Sequence, residues 1–264
     1  MDALQALVLG IVQGLTEWLP VSSSGHLVIS QELLGLTAGE NLVFDLVVHL
    51  GTLLAVCVFF RLELWRVIRS LLMRKEARGP EDERLRRLGL LLILGTVPAA
   101  GAGVLFSNEI EGVFDIRLVG FAMLVNAAML FLFEKVGSNG TRKTADLPDA
   151  VVIGMFQAVA IIPGISRSGS TIGGGMLRGL ERETAAVFAF LLSVPTLLGA
   201  FAYGMLTLDR FDADLATAAI GLAAAFGTGI VSIDFLLRAV RRGKLWIFGV
   251  YCVVVGAIVI MLTL

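Results

Sequence analysis

Residues 20–26 read Pro-Val-Ser-Ser-Ser-Gly-His, and residues 163–169 read Pro-Gly-Ile-Ser-Arg-Ser-Gly. Each stretch interrupts an otherwise apolar segment of the chain. Proline removes a helical hydrogen bond, and serine and glycine weaken the helix around it, so neither segment suits one continuous helix. We therefore predict that residues 1–35 and residues 148–178 each form a helix, a break and a second helix that returns toward the side where the first one began.

The two interrupted segments occupy equivalent places in an internal repeat. The sequence matches itself without a gap when it is shifted by 144 positions. The matching pairs include Asp2 with Asp146, Gly10 with Gly154, Gln13 with Gln157, Ser22 with Ser166, Gly25 with Gly169 and Thr52 with Thr196. The repeat divides the chain into a first half, residues 1–136, and a second half, residues 145–264. Repeats of this kind are typical of transporter-like membrane folds.

The composition indicates a membrane protein. Hydrophobic residues make up 57% of the 264 residues and charged residues only 16%, whereas a soluble domain has about 25% charged residues. Six apolar runs are each long enough to cross a hydrocarbon core of about 30 Å, which takes about 20 helical residues. These runs are residues 41–60, 88–106, 117–133, 185–206, 215–237 and 245–264. Both cysteines, Cys57 and Cys252, lie inside such runs, which argues against disulfide bonds and a zinc site.

The distribution of lysine and arginine predicts how these runs are oriented. If each interrupted segment enters and leaves the membrane on the same side, four loops lie together and contain 18 of the 21 basic residues. These loops are residues 61–87, 134–149, 178–184 and 238–244. The positive-inside rule then places the four loops in the cytoplasm and both termini outside.

The predicted fold is an all-α integral membrane protein, an inverted-topology repeat with six transmembrane helices and two re-entrant broken helix pairs. The second half is inverted because each half has three true spans. The basic loop 61–87 also suggests a nucleic-acid-binding segment, but acidic residues interleave with its arginines. Orientation in the membrane explains this loop, and no nucleic-acid partner is predicted.

The tips of the two interrupted segments have the properties of an anion-binding site. A half-helix that begins inside the membrane points free N–H groups and the positive end of its dipole at the interior. Arg167 adds a permanently charged guanidinium fork that suits phosphate oxygens, and glycines at the breaks allow the backbone to approach a ligand closely. The predicted phosphate-binding residues are Ser22, Ser24, Gly25, Ser166, Arg167, Ser168, Gly169, Ser170 and Thr171.

The two tips differ in ways that indicate chemistry rather than a symmetric binding site. In the repeat alignment, Ser23 of the first half faces Arg167 of the second, and His26 faces a serine. Glu17 lies one helical turn before the first break. We predict catalytic roles for Glu17, Ser23, His26 and Arg167, with either Ser23 or a water molecule as the attacking group.

Each of these residues also has a structural explanation. In the structural explanation, Arg167 does no more than neutralise Glu17 across the repeat interface. Glu17 is then a helix-end charge near water. The serines can serve to allow close helix packing, and His26 to pack near the membrane surface. Gln13 shares a helix face with Glu17, but its counterpart Gln157 in the second half favours a structural role.

Other polar residues lie inside the apolar runs. Asp45 and His49 are four positions apart and lie on one helix face. We predict that they form a structural hydrogen-bonded pair, in preference to a pair that transfers protons. For Asn126 and Asp234, we predict a role as an interhelical tie or a helix-end charge in preference to a role as a ligand. None of these residues enters the predicted site.

At residues 13–26 and 163–171 the chain resembles the undecaprenyl-diphosphatase family, the bacitracin-resistance membrane phosphatases. The acidic motif of that family is glutamate or glutamine, three residues and a glutamate, which corresponds here to Gln13 and Glu17. The shared length and repeat layout extend the resemblance over the whole chain. The family's functional serine, histidine and arginine positions match Ser23, His26 and Arg167.

The resemblance implies hydrolysis of undecaprenyl diphosphate, which recycles the carrier lipid of peptidoglycan synthesis and confers resistance to bacitracin. It also implies a bacterial cytoplasmic membrane protein with its site open to the outer side, and a requirement for Mg²⁺ or Ca²⁺ at Glu17 and Gln13. A metal ion also follows from charge balance. A diphosphate brings roughly two to three negative charges close to Glu17, with Arg167 as the nearby cation, and a hard divalent ion bridging carboxylate and phosphate corrects that balance.

Competing functions can be compared with the same residues. A polyprenyl-phosphate transporter or flippase is the main alternative, because inverted repeats with broken helices are typical of transporters. A carrier, however, needs no glutamate, serine and histidine opposite an arginine. The acid-phosphatase-like lipid phosphatases need a further histidine soon after their Ser-Arg pair, where residues 172–175 read Ile-Gly-Gly-Gly. A P-loop is excluded because no lysine follows the glycines, and a monomer and a homodimer both remain open.

Overall fold

The computed structural model describes residues 1–36, 42–105, 115–137, 139–207 and 214–263. Within these residues the chain forms eleven α-helices, named here in chain order. The first half contains α1 (Ala3–Trp18), α2 (Ser23–Leu33), α3 (Leu42–Phe59), α4 (Arg61–Leu72), α5 (Pro80–Leu105) and α6 (Ile116–Val136). The second half contains α7 (Leu147–Val159), α8 (Arg167–Leu177), α9 (Arg182–Thr207), α10 (Leu215–Arg241) and α11 (Leu245–Thr263).

Six of these helices are long and apolar enough to cross a membrane, namely α3, α5, α6, α9, α10 and α11. They coincide with the six predicted apolar runs, so the prediction of a multi-pass, all-α membrane protein is confirmed. The charge pattern also predicts that loops 107–117 and 207–214 lie on the outer side, and most of their residues fall outside the described part of the chain. The fold therefore depends on the six spans and on what packs between them.

The basic segment 61–87 contains a helix that the sequence analysis treated as loop. On α4, apolar side chains recur every three or four positions and remain exposed: Leu62, Trp65, Ile68 and Leu72. Three arginines of the same helix, Arg61, Arg66 and Arg69, are exposed as well. An amphipathic helix with tryptophan in its apolar stripe and arginines beside it suits the boundary between lipid and water.

Both predicted breaks are present. Residues 19–22 separate α1 from α2, residues 160–166 separate α7 from α8, and α8 begins 144 positions after α2. Ser22 and Ser166 cap the second helix of each pair, and each side chain accepts a hydrogen bond from the backbone N–H three residues later. The same cap therefore forms at equivalent positions of the two halves.

Each break contains one residue in the left-handed region of backbone space. Ser22 has a φ of 70° and is the one non-glycine residue with a positive φ among the described residues. Gly164 has a φ of 99°, and a Cβ atom there would lie only 2.6 Å from the Cβ of Ala122. Glycine is needed at position 164 for both reasons, whereas Ser22 adopts its strained conformation because its side chain and backbone are held by several partners.

The two halves of the sequence interlock. Helix α1 packs along α10 of the second half, and α7 packs along α5 of the first half. The contacts are close at Gly10 and Gly154, which are equivalent in the repeat. A Cβ at either position would lie 2.5 Å from a backbone carbonyl oxygen, that of Gly221 and of Gly95 respectively. Small residues thus let each broken pair approach a span of the other half at backbone distance.

A charged cluster fixes the start of the second broken pair. Asp149, on the first turn of α7, has a side chain with 0% exposure. Its carboxylate accepts hydrogen bonds from Arg142 at 2.9 and 2.7 Å and from Arg178 at 3.1 Å. The hydrogen bond to Asp149 raises the pKa of Arg142 above its ordinary value, so this guanidinium stays charged. The cluster joins the segment before α7 to the end of α8.

Replacement of Asp149 by alanine is expected to destabilise the protein. The change removes a buried acceptor from two guanidinium groups, which costs about 1–3 kcal/mol when charged partners are left unsatisfied. Thermal unfolding in detergent should occur at lower temperature for Asp149→Ala than for wild type. Glu63→Ala, at an exposed site on α4, is the control and should unfold at the wild-type temperature. Equal stability of Asp149→Ala and wild type would contradict this role.

Candidate active site

The two breaks lie against each other because Asn126 holds both. This side chain on α6 is 1% exposed. Its Nδ2 donates to the carbonyl oxygen of Pro20 at 3.0 Å, and its Oδ1 accepts from the backbone N–H of Ser166 at 3.0 Å. The prediction of an interhelical tie at Asn126 is therefore confirmed. One amide joins the first break to the second.

Serine hydroxyls make the remaining contacts between the breaks. The Oγ of Ser22 accepts a hydrogen bond from the backbone N–H of Gly164 at 3.1 Å. In the opposite direction, the hydroxyl of Ser168 donates to the carbonyl oxygen of Leu19 at 3.0 Å. Each half thus supplies a serine that satisfies a backbone group of the other half, where no water is available to do so.

The predicted phosphate-binding glycines are also packed against protein. A Cβ atom on Gly25 would lie 3.1 Å from a methyl carbon of Val119, and one on Gly169 would lie 3.0 Å from the Cβ of Pro20. These glycines therefore allow the two breaks and α6 to pack closely. Ser170 differs from its neighbours, because its Oγ is buried and has no hydrogen-bond partner. Among the predicted phosphate-binding hydroxyls, that of Ser170 has an unused donor.

Glu17 is the centre of the polar cluster. Its side chain is 2% exposed, although it belongs to the last turn of a helix that enters the membrane protein's interior. One carboxylate oxygen, Oε2, accepts hydrogen bonds from Gln13 Nε2 at 2.8 Å and from the Ser23 hydroxyl at 2.5 Å. The other oxygen pairs with the guanidinium of Arg167. The structure thus brings together Gln13, Glu17, Ser23 and Arg167, as the site prediction requires.

Arg167 reaches Glu17 from the first residue of α8, in the second half of the chain. The ion pair that the sequence analysis named as an alternative role for Arg167 is present. Its side chain is 19% exposed, so it lies closer to the solvent than the carboxylate. A cation at this position neutralises a buried carboxylate and, at the same time, faces any anion that arrives from the exposed side.

His26 is held away from Ser23 by two other partners. Its Nδ1 is 2.8 Å from the carbonyl oxygen of Ser22, and its Nε2 is 2.8 Å from the hydroxyl of Tyr251 on α11. A carbonyl oxygen only accepts, so Nδ1 carries the hydrogen and Nε2 accepts from the tyrosine. The rings of His26 and Tyr251 also stack, with centroids 5.6 Å apart and planes at 11°. Sequence reasoning missed Tyr251, since it lies 225 positions from His26.

A second histidine lies beside the carboxylate. His49 Nε2 is 3.7 Å from Glu17 Oε2. The predicted pairing of His49 with Asp45 is present, but the bond is to the backbone carbonyl oxygen of Asp45 at 2.7 Å. The Asp45 carboxylate instead accepts from Gln31 Nε2 at 2.9 Å. The spacing of four residues predicted the local contact, whereas the approach of α3 to the end of α1 had no signal in the sequence.

The other polar residues of the apolar runs are structural. Gln157, the counterpart of Gln13, donates to the carbonyl oxygen of Gly95 at 3.4 Å and accepts from Thr196 at 3.2 Å. It ties α7 to α5 and α9. Asp234 pairs with Arg238 on the exposed surface of α10. Neither residue is part of the cluster around Glu17.

The side chains near Glu17 include ligand types that a divalent ion binds. Hard cations prefer carboxylate and amide oxygens. Glu17 supplies a carboxylate, and the buried Oε1 of Gln13 has no hydrogen-bond partner. The described residues contain no group of three or more histidine, cysteine, aspartate or glutamate side chains placed to hold a metal. The two predicted ligands fit a hard cation that takes further oxygens from a substrate.

Six apolar spans, two broken helix pairs and a buried carboxylate–guanidinium cluster define a polytopic membrane protein with a polar site inside the helix bundle. The family described as bacitracin resistance protein BacA matches residues 6–258. The chain belongs to this family.

Relatives extend over the full length of the chain. An undecaprenyl-diphosphatase of Carboxydothermus hydrogenoformans is 42% identical over 99% of this chain and 98% of that protein. One of Korarchaeum cryptofilum is 41% identical over 99% of this chain and 100% of that protein. One of Methanobrevibacter smithii is 38% identical over 99% and 98% of the two chains.

Proposed function

We infer that this chain is a membrane phosphatase that hydrolyses undecaprenyl diphosphate to undecaprenyl phosphate and inorganic phosphate. This reaction recycles the carrier lipid for peptidoglycan synthesis, and removal of the diphosphate, as the family name implies, confers resistance to bacitracin. Family membership and full-length relatives support the activity. The observation that carries the mechanism is the contact of Glu17 with both the Ser23 hydroxyl and Arg167.

The short hydrogen bond from Ser23 to Glu17 supports the role of Glu17 as the proton acceptor. In one route, the Ser23 oxygen attacks the terminal phosphorus while its proton moves to Glu17. A bond forms between the serine oxygen and phosphorus, the anhydride P–O bond breaks, and undecaprenyl phosphate leaves. Water then hydrolyses the phosphoserine to release phosphate. In the other route, water attacks directly and Ser23 and Glu17 orient it.

Arg167 is proposed to stabilise the charge of the reacting phosphoryl group. Phosphoryl transfer is catalysed mainly by positioning and by charge stabilisation, and a planar guanidinium fork matches phosphate oxygens. In this proposal the arginine exchanges part of its contact with Glu17 for the substrate, which leaves Glu17 free to take a proton. The N-terminus of α8, where Arg167 lies, would support phosphate binding.

His26 is proposed to donate a proton to the leaving phosphate. The hydrogen bonds to Ser22 and Tyr251 fix the neutral ring with its proton on Nδ1. For His26 to act, Tyr251 must release Nε2 and Nε2 must first take up a proton from water, so entry of the substrate would have to displace the tyrosine hydroxyl. This requirement follows from the second hydrogen bond and does not depend on which group attacks.

A divalent ion, Mg²⁺ or Ca²⁺, is proposed to bind at Glu17 and Gln13 together with phosphate oxygens. When bound, it would neutralise part of the diphosphate charge. Glu17 and Gln13 support this assignment as a carboxylate and an unpaired buried amide oxygen on one helix face.

The proposed topology is an inverted repeat in the cytoplasmic membrane, with the first broken pair re-entering from outside and the second from the cytoplasm. The matched serine caps and the packing of each pair on the opposite half support it. Basic residues cluster near one set of helix ends, which favours a cytoplasmic position for residues 61–87. The site is proposed to open to the outer leaflet. The same repeat is the observation that favours a lipid transporter as a second candidate function.

Topology can be tested by labelling single cysteines in a protein that lacks Cys57 and Cys252. A cysteine in place of Glu76 should react only after the membrane is opened, because position 76 is cytoplasmic. A cysteine in place of Arg117 should react in intact cells, because position 117 is outside. Both side chains are exposed, so access to the reagent differs only by side. Reaction of both positions from the same side would exclude the proposed topology.

Release of phosphate from undecaprenyl diphosphate by detergent-purified protein separates a phosphatase from a transporter, because transport cannot occur without a membrane. Arg167→Ala and Arg167→Lys are each expected to lower turnover at least about a hundredfold, a conservative bound for such an arginine. Lysine keeps the charge but loses the planar fork. Arg117→Lys, at an exposed position on α6 and outside the site, is the control and should keep wild-type turnover.

A purely structural ion pair predicts a different pattern for the same variants. Lysine would then rescue Arg167, and the double change Glu17→Gln with Arg167→Gln would restore stability and activity together. Turnover and thermal unfolding should be measured side by side. An active Arg167→Lys protein would leave Arg167 as scaffold and remove it from the mechanism.

Chelation tests the proposed metal. EDTA should abolish phosphate release, and Mg²⁺ or Ca²⁺ should restore it. Glu17→Gln should behave like the chelated protein, since it loses the carboxylate ligand, and Gln13→Ala should be affected less. Gln157→Ala, the repeat equivalent of Gln13, should respond to metal like wild type. Full activity in EDTA would rule out the metal.

A further inference from the structure

His49 has no role in the mechanism derived above, yet its ring lies beside the carboxylate at the centre of that mechanism. Nε2 of His49 is 3.7 Å from Oε2 of Glu17, and the histidine side chain is 31% exposed against 2% for the glutamate. The chain has only two histidines. His26 has both ring nitrogens engaged by Ser22 and Tyr251, so His49 is the imidazole whose second nitrogen faces the carboxylate.

The backbone of α3 fixes the tautomer of His49. Its Nδ1 is 2.7 Å from the carbonyl oxygen of Asp45. A carbonyl oxygen accepts hydrogen bonds only, so Nδ1 must carry the hydrogen and donate it. In the neutral ring, the lone pair of Nε2 then faces the Glu17 carboxylate. The carboxylate is buried and the imidazole is partly exposed, and a positive species placed between these two acceptors would bind both.

This arrangement matches the one seen at metal-binding histidines. Such histidines almost always donate the other ring N–H to a backbone carbonyl or a carboxylate, which orients the ring and raises the basicity of the ligating nitrogen. His49 already has this support from Asp45, and the Asp45 side chain is itself held by Gln31. The histidine is thus oriented by α2 and α3, independently of Glu17.

A third donor lies on the same carboxylate. The amide of Gln13 contacts Glu17 Oε2 through Nε2 at 2.8 Å, and the oxygen of that amide is buried without a partner. Glu17 Oε2 thus has the amide nitrogen of Gln13 and the imidazole nitrogen of His49 as neighbours, while the amide oxygen of Gln13 has no hydrogen-bond partner. Three protein donors form a more complete ligand set than Gln13 and Glu17 alone.

We propose that Nε2 of His49 is a ligand of the divalent ion that binds at Glu17 and Gln13. The proposal rests on the metal site of the proposed function and adds a nitrogen to it. The nitrogen has a consequence for selectivity: imidazole suits transition-metal ions, whereas Mg²⁺ and Ca²⁺ prefer sites built from oxygen ligands. The site should therefore bind Mn²⁺ more tightly than a site built from oxygens alone.

The test is electron spin echo spectroscopy of Mn²⁺ bound to the untagged, detergent-purified protein without substrate. Protein labelled with ¹⁵N-histidine should show coupling of a histidine nitrogen to Mn²⁺. The coupling should persist in His26→Gln, the matched control for the other histidine, and disappear in His49→Gln. Titration with Mn²⁺ should show affinity lowered about tenfold or more in His49→Gln, by comparison with the loss on removing supporting groups of metal sites. Competition by Mg²⁺ should change less.

Three results would overturn the proposal: no bound Mn²⁺, bound Mn²⁺ without histidine coupling in wild type, or coupling that survives in His49→Gln. A protonated His49 that only pairs with Glu17 gives one of the first two results. Phosphate release measured on the same preparations tests the proposed phosphatase function separately from the proposed His49 ligand. Hydrolysis without histidine coupling would overturn the ligand and leave the phosphatase, whereas coupling without hydrolysis would do the reverse.

Discussion

The structure depends on how the buried carboxylate of Glu17 is held inside a bundle of apolar helices. An ionised carboxylate in an apolar interior is costly unless it is paired and hydrogen-bonded. Here Arg167 from the second half of the chain provides the pair, and Gln13 and Ser23 provide hydrogen bonds. The charge cannot be satisfied by either half alone, so the cluster forms only when the two broken helix pairs meet.

The breaks are built so that their ends fit together. Broken helices in a membrane expose backbone groups that water cannot satisfy. Asn126 satisfies one group from each break, and Ser22 and Ser168 satisfy groups of the opposite half. The serines of the breaks therefore serve first to make hydrogen bonds with buried backbone groups. The buried hydroxyl of Ser170 is the one among the predicted phosphate-binding residues that has no hydrogen-bond partner.

The two halves of the sequence share packing residues but differ at several positions of the polar cluster. Equivalent positions still carry the same serine caps and close-packed glycines, because both halves must solve the same packing problem. The residues that differ, Ser23 against Arg167, are those that contact Glu17. Gln13 and Gln157 show the same divergence: the first contacts the carboxylate, and the second only ties helices together. The polar cluster around Glu17 thus combines matched positions, such as Gln13, with positions where the halves no longer match.

The sequence by itself determined the six apolar spans and the two breaks, because helix length, proline and glycine act locally. It also predicted the cluster of Gln13, Glu17, Ser23 and Arg167, because the internal repeat aligns the two tips. Only the tertiary structure decided the partners of the histidines. Tyr251 reaches His26 from the last helix, and His49 reaches Glu17 from α3. Such contacts depend on how helices far apart in sequence are rotated and packed. Sequence periodicity predicts which face of a helix is buried, but it does not predict which residue of another helix contacts that face.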